Sequence, residues 1–253
     1  MGRLGQHFLA RKSILTRIAA AACEENTLPV VEIGPGKGAL TEALLDQAQK
    51  IVAIEVDPYL VHYLRQKFQG ALDAGRLELI EGDILKVDLG AISPRPLLAG
   101  NLPYYITSPI LDRIFSLNGA WERAVFLVQS EVAARLTASP GSRDFGYLSV
   151  LTQVHARAEI LFGVSREAFR PAPKVDSSVV RLTPRDAAAE LGIADLAGFL
   201  RFAQSCFRQK RKTLRNNLGP VYGLDRIEGL PEARLRAEQL SVAELAVLFQ
   251  KLR

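Results

Sequence analysis

The segment Gly100-Asn101-Leu102-Pro103-Tyr104-Tyr105-Ile106 sets an amide, an apolar residue, a proline and two aromatics in succession after an apolar run. That order suits methylation of the exocyclic amine of adenine. The amine is a weak nucleophile because its lone pair is delocalised into the ring, and at neutral pH it carries no easily removed proton, so a strong base is not the main requirement. Hydrogen bonds accepted from it by the Asn101 side-chain oxygen and the Leu102 backbone carbonyl would localise the lone pair and aim it at a sulfonium methyl. Pro103 fixes the backbone between them, and Tyr104 is placed to stack on a flipped-out base, a contact worth roughly 1–3 kcal/mol. The structural alternative is a proline turn with two core tyrosines.

A second constellation lies upstream. Val30-Val31-Glu32-Ile33 runs into Gly34-Pro35-Gly36-Lys37-Gly38, and Ala39-Leu40-Thr41-Glu42 then opens a helical pattern. Strand, glycine turn and helix make a nucleotide-type site, since glycines let backbone amides approach a ligand at a helix N-terminus. Glu55, twenty-one residues after Gly34, ends the next apolar run, where an acid accepts hydrogen bonds from a ribose diol. Gly34, Gly36 and Ala39 also satisfy the dinucleotide pattern, which leaves NAD or FAD open at this point. Glu81-Gly82-Asp83-Ile84 closes a third run, so Asp83 falls at the same sheet edge, either to bind an adenine amine or to cap a helix.

These residues need a parallel sheet to bring them together. Short apolar runs predict strands over Val30 to Ile33, Ile51 to Glu55, Leu77 to Glu81, Leu97 to Gly100, Ala124 to Val128, Ala158 to Phe162 and Ser177 to Leu182. Between them, apolar spacing of three and four predicts helices over Leu40 to Ala48, Pro58 to Phe68, Ile106 to Leu117 and Ser130 to Thr137. The fold class is therefore α/β. After Pro184 the strand signal ends, and helices are predicted over Leu196 to Phe207, Lys210 to Leu218, Glu232 to Gln239 and Val242 to Leu252. The expected division is a domain over residues 1–185 and a small all-helical domain over 186–253.

With 253 residues, 48% hydrophobic and 23% charged, the chain can bury a full core and is neither disordered nor collagen-like. No apolar run approaches a membrane span, and the first residues carry no secretory pattern, so a cytoplasmic address is expected. Cys23 and Cys206 stand apart without zinc-site spacing; both read as buried small hydrophobes, and no metal is expected. The net charge of +5 suggests an anionic partner. Between Asp195 and Asp225 there is no acid, yet Arg201, Arg208, Lys210, Arg211, Lys212 and Arg215 all fall there. Arg208, Arg211, Lys212 and Arg215 follow the i, i+3, i+4, i+7 spacing of one helical face, which is expected to meet phosphates.

Taken together, these segments closely resemble the ribosomal RNA adenine N6,N6-dimethyltransferases. The resemblance is carried by Leu4-Gly5-Gln6-His7-Phe8-Leu9, Glu32 to Gly38, Glu55-Val56-Asp57, Gly82-Asp83, Asn101 to Tyr105 and Phe169-Arg170-Pro171-Ala172-Pro173-Lys174-Val175-Asp176-Ser177. It implies a Rossmann-like class I methyltransferase domain followed by a helical RNA-binding domain, with S-adenosylmethionine as cofactor. It further implies a cofactor site of Gln6, His7, Leu9, Gly34, Gly36, Glu55, Val56, Asp83, Ile84 and Asn101, with Val56 against the adenine and the Gln6 segment folding over the ligand. Phe169 is similar to the family residue that encloses the target base opposite Tyr104. Thr107-Ser108-Pro109 and Arg211-Lys212-Thr213-Leu214-Arg215-Asn216-Asn217-Leu218 favour the small-subunit branch over macrolide resistance. That branch implies a monomer that dimethylates two adjacent adenosines near the 3′ end of 16S ribosomal RNA, with the immature small subunit as partner. A non-catalytic assembly factor on the same fold and a DNA adenine methyltransferase are the rival readings; the intact Asn101 and Tyr104, and the leucine before Pro103, speak against them.

Overall fold

The computed structural model describes residues 7–24 and 27–253. Gln6, and with it the start of the Leu4-Gly5-Gln6 motif, lies outside the described residues. The chain forms two compact units, one of the residues up to Ala133 with Glu159–Pro184, the other of Ala134–Ala158 with Arg185–Arg253. The expected boundary near residue 185 is one of the crossings. The expected first domain also took in residues 134–158, and this is corrected, because the chain leaves the sheet unit there and returns to it.

The described residues form nine strands: β1 (Phe8–Leu9), β2 (Val30–Ile33), β3 (Ile51–Glu55), β4 (Leu77–Glu81), β5 (Leu97–Asn101), β6 (Arg123–Gln129), β7 (Ala156–Val164), β8 (Phe169–Arg170) and β9 (Ser177–Pro184). Seven of them form one sheet in the order β4-β3-β2-β5-β6-β9-β7. Strands β4 to β6 in this order are mutually parallel, with Val30 level with Ile51 on one side and Leu97 on the other. β9 runs antiparallel to β6, from Ala124 opposite Leu182 to Gln129 opposite Ser177. Every residue of β2 and β3 is buried, as their apolar residues require when helices cover both faces of a sheet, and the acids Glu32 and Glu55 are buried with them.

The order reverses at β2: the chain steps to β3 and β4 on one side, then to β5 and β6 on the other. In open α/β sheets the crevice at such a switch point, beyond the carboxyl ends of the strands, is where ligands bind. The core beneath it includes Ile18, Ala19, Val30, Leu44, Ile51, Ala53, Leu97, Ala99, Val125 and Leu127. The helix Pro58–Lys67 starts where its sequence says it should: Pro58 opens it, and the Asp57 side chain accepts from the Tyr59 amide at 2.9 Å.

The two-residue ribbon of β1 and β8 was not expected from the sequence. Phe8 pairs with Arg170 and Leu9 with Phe169, which fastens the N-terminal arm to the Phe169-Arg170-Pro171 segment.

The second unit is helical, with Tyr147–His155, Leu196–Cys206, Leu214–Tyr222 and Val242–Leu252 packed around Phe145, Val150, Phe199, Phe202, Leu218, Leu245 and Phe249. Ser241 and Glu244 cap the last of these reciprocally, the Glu244 amide donating to Ser241 Oγ and the Ser241 amide to Glu244 Oε2. Two helical expectations are corrected. Over Glu232 to Gln239 there are two separate 3-10 turns, Pro231–Arg234 and Ala237–Gln239. Nor is Lys210 to Leu218 one helix, since the helix begins at Leu214 after a loop. Buried Asn217 holds that loop: its Nδ2 donates to the Cys206 and Gln209 carbonyls at 2.8 and 3.2 Å, and its Oδ1 accepts from the Gln209 amide at 3.1 Å. A side chain that satisfies the end of one helix from within the next makes a turn where the charge spacing suggested continuity.

No helix of the described residues is long and apolar enough to cross a membrane. Cys23 and Cys206 are both buried free thiols, and burial pushes the pKa of each up.

Candidate active site

A cavity of about 360 Å³ opens at the switch point, lined from β1, the loop after β2, the ends of β3, β4 and β5, and the turn after β5. It brings together His7, Leu9, Gly34, Gly36, Glu55, Val56, Asp83, Ile84, Asn101, Leu102, Pro103 and Tyr104, residues scattered over nearly a hundred positions of sequence.

Glu55 is 3% exposed and binds the glycine loop from across the sheet. Its Oε2 accepts from the Gly36 amide at 3.1 Å, and its Oε1 from the amides of Val56 and Asp57 at 3.0 and 3.1 Å. The loop is therefore held against the end of β3 by a charged acceptor. Gly36 has φ +59, and a Cβ there would meet the Phe8 ring at 3.0 Å, so the arm closes directly on glycine. Gly100 answers a second close approach, since a Cβ at that point of β5 would lie 2.7 Å from the Ile33 carbonyl oxygen.

Asp83 caps a turn and stands at the cavity wall. Its Oδ1 accepts from the Leu85 amide at 2.9 Å, capping the turn after β4, while the residue lines the cavity. Val56 is half exposed and Ile84 is buried, giving two apolar surfaces at the ends of neighbouring strands.

Asn101 ends β5 and its Nδ2 donates to the His7 carbonyl oxygen at 3.1 Å, leaving Oδ1 as the acceptor of the carboxamide. Leu102 is 1% exposed and its amide donates to the Leu127 carbonyl, tying the turn to β6. Pro103 sits at φ −60, ψ 127, and Tyr104 opens a 3-10 turn through Ile106. The Tyr104 hydroxyl shares a 2.8 Å hydrogen bond with Ser177 Oγ, and burial raises its pKa against the lowering effect of that bond. The His7 ring stacks on Tyr104 at 5.9 Å and 27°, with its Nδ1 2.9 Å from the Pro171 carbonyl oxygen.

Two expectations do not hold in this geometry. Phe169 is fully buried and is not among the lining residues of the cavity; its strand pairs with β1, and its side chain belongs to the core that also holds Leu9, Ala168 and Val179. Nor do Arg208, Arg211, Lys212 and Arg215 share one helical face. The first three lie in the exposed loop before Leu214, while Arg215, on the helix, donates to Glu228 through both Nε and a terminal nitrogen.

The sequence reading missed Glu32 as a site residue. It is 1% exposed, accepts from Thr41 Oγ1 at 2.6 Å, and burial pushes its pKa up to about 7. An acid as the third residue of an otherwise apolar strand running into a glycine loop was the available signal. Phe8 and Lys37 also line the cavity, the ammonium 5.0 Å from the ring centroid.

The lining distinguishes between the two cofactor classes left open. Among the described residues the lining holds three acids, Glu32, Glu55 and Asp83, against one lysine, Lys37, and no arginine. Such a wall disfavours a pyrophosphate and suits a ligand carrying a sulfonium and an ammonium, so the residues present fit S-adenosylmethionine.

The family model described as ribosomal RNA adenine dimethylase matches residues 2–251. A protein from Acidobacterium capsulatum named ribosomal RNA small subunit methyltransferase A is 44% identical over 99% of this chain and 90% of its own length. A dimethyladenosine transferase from Plasmodium falciparum matches with a TM-score of 0.77 at 25% identity, covering 97% of this chain and 96% of that one. The 23S rRNA methyltransferase ErmE matches with a TM-score of 0.69 at 29% identity, covering 97% and 99%. The chain belongs to the ribosomal RNA adenine dimethylase family.

Proposed function

We propose that this chain transfers methyl groups from S-adenosylmethionine to N6 of adenine in small-subunit (16S) ribosomal RNA, dimethylating two adjacent adenosines near the 3′ end. The reading extends to a monomeric, cytoplasmic enzyme that meets the immature small subunit and contributes to its assembly. The observation that carries it is the Asn101 carboxamide at the switch point, its NH2 engaged by the His7 carbonyl and its oxygen left to accept from an amine.

When bound, S-adenosylmethionine supplies an electrophilic methyl on a sulfonium. Of the residues lining the cavity, Glu55, with the glycine loop it holds, would take the ribose, Val56 and Ile84 would flank the adenine, and Asp83 would take its amine. Asn101 Oδ1 and the Leu102 carbonyl accept from the two N6 hydrogens of the target base, which turns its lone pair out of conjugation and toward the methyl. As N6 accepts the methyl from the sulfonium, the same two oxygens would stabilise the positive charge it gains, and a proton would then leave N6 to water. Tyr104, anchored through Ser177, holds the ring by stacking. The exposed Arg208, Arg211 and Lys212 bind phosphates of the RNA.

The test is methyl transfer from labelled S-adenosylmethionine to purified small and large ribosomal subunits that lack adenine methylation, followed by nuclease digestion. Label recovered as N6,N6-dimethyladenosine from small-subunit RNA is the expected result. Label confined to large-subunit RNA, or to no RNA, overturns the reading.

A further inference from the structure

The helical unit contains a second cleft, of about 430 Å³, that the methyl-transfer site does not use. Its lining is Tyr147, Gln204, Ser205, Phe207 and Arg208. Two half-buried aromatic rings, a carboxamide, a hydroxyl and a guanidinium thus converge, and no acid is among the lining residues described.

The cleft is built rather than incidental. Tyr147 opens the helix Tyr147–His155, whose first turn is fixed by the Gly146 amide donating to Ser149 Oγ at 3.0 Å. Phe207 ends the helix Leu196–Cys206 and packs edge-on against fully buried Phe145, ring centroids 6.0 Å apart. The loop that carries Arg208 is pinned from inside by Asn217, and the Lys210 ammonium donates to the Arg143 carbonyl, joining that loop to the segment leading into Tyr147. Both rings pack against the helical core and the backbone of the Arg208 loop is fixed by Asn217, while the Arg208 and Gln204 side chains remain exposed.

We propose that this cleft is a nucleotide subsite for single-stranded RNA, separate from the site of methyl transfer. An unpaired base lies against Tyr147 and Phe207, the Gln204 carboxamide meets its polar edge, and the Arg208 guanidinium takes the adjoining phosphate. Stacking platforms beside a cationic side chain hold single strands in this way with little sequence preference. Arg211 and Lys212, exposed on the same loop, extend the positive surface along the backbone of the strand. The proposal rests on RNA being the substrate and adds where an unpaired stretch of it is held.

The experiment uses the full chain with two probes, a fluorescein-labelled octauridylate and an abasic ribose-phosphate strand of equal length and charge. Fluorescence anisotropy is expected to show Tyr147→Ala weakening octauridylate binding about tenfold. Tyr147→Phe should bind as the unaltered chain does, and Gln204→Ala should weaken binding less than Tyr147→Ala. The abasic strand should bind more weakly and ignore Tyr147→Ala. A reporter variant, Phe207→Trp, reads stacking directly, because the chain's one natural tryptophan, Trp121, is fully buried. Quenching of the reporter by octauridylate and not by the abasic strand supports the subsite. Equal response to both strands, or unchanged octauridylate affinity in Tyr147→Ala, overturns it, and the reporter decides if Tyr147→Ala does not fold. A chain that labels small-subunit RNA with a silent reporter loses the subsite and keeps the catalytic reading; a responding reporter on a chain that labels no RNA does the reverse.

Discussion

The His7 carbonyl oxygen accepts a hydrogen bond from the Asn101 carboxamide at 3.1 Å, across 94 positions of sequence. Because a carboxamide has one donor end and one acceptor end, engaging the NH2 decides which way the oxygen faces. The arm residue therefore orients the group that we propose accepts from the target amine. His7 is itself held at its ring by Pro171 and Tyr104, so three separate segments meet at one backbone position.

Asn101→Ala should lower the single-turnover rate of methyl transfer by about a hundredfold, the usual cost of removing one group that stabilises charge developing in a transition state. His7→Ala keeps the carbonyl and removes the ring, losing one stack and one hydrogen bond. A fall of about tenfold is expected there, with His7→Phe recovering the stacking share. Rapid-quench kinetics with saturating cofactor checks both, and a wild-type rate in Asn101→Ala would refute the assignment.

Glu55 predicts a joint effect on binding and stability. Its carboxylate is the acceptor for three backbone amides and lines the cavity, so on the proposed reading Glu55→Ala removes a ligand contact and the loop's anchor together. Calorimetry should show cofactor Kd rising at least tenfold. Thermal unfolding without cofactor should show a loss of about 2 kcal/mol, several degrees in Tm. Glu55→Gln, which keeps one acceptor oxygen, should fall between the two chains.

Most of this site was legible because its residues sit at the ends of strands whose apolar runs are unmistakable: β2, β3 and β4 begin and end at the expected residues, and Glu55 and Asp83 follow from that register. What was not legible depends on contacts distant in sequence. β1 and β8 are two residues each, too short to carry a period, and exist only because Leu9 and Phe169 meet. Residues 134–158 leave the sheet unit because Phe145, Val150 and Val154 find partners in the helical core, which no local pattern announces. The loop before Leu214 looked helical because its cations have helical spacing; the Asn217 carboxamide that breaks the helix contributes nothing to a hydrophobic pattern.

Glu32 gives the fold a pH dependence of definite sign. Its pKa is raised from 4.5 to about 7, first by burial, with Thr41 opposing and Glu55 adding to the rise. Between those values the folded chain holds a proton that the unfolded chain has lost. The stabilisation is fully present below pH about 4.5 and is lost as pH rises through about 7, a change on the order of 1–3 kcal/mol. Denaturant unfolding from pH 5 to 8 should show this slope, and Glu32→Gln should flatten it. A slope that survives in Glu32→Gln belongs to another group.

The basic loop yields the last prediction, and the structure changes which residues test it. Arg211 and Lys212 are exposed on a loop, whereas Arg215 is engaged by Glu228. A phosphate would have to displace that carboxylate from Arg215, while Arg211 and Lys212 meet no such competition from Glu228. The double variant Arg211→Glu, Lys212→Glu should therefore weaken binding to small subunits by about tenfold or more and reduce the slope of log affinity against log salt by about two, while cofactor affinity stays unchanged. Arg215→Ala should change the salt slope by less than one, its main consequence being the loss of a surface ion pair worth at most about 1 kcal/mol. Filter binding over a range of potassium chloride concentrations distinguishes the two. If Arg215→Ala lowers the slope as much as the loop reversals do, its guanidinium leaves Glu228 for the RNA and the four cations act as one surface after all.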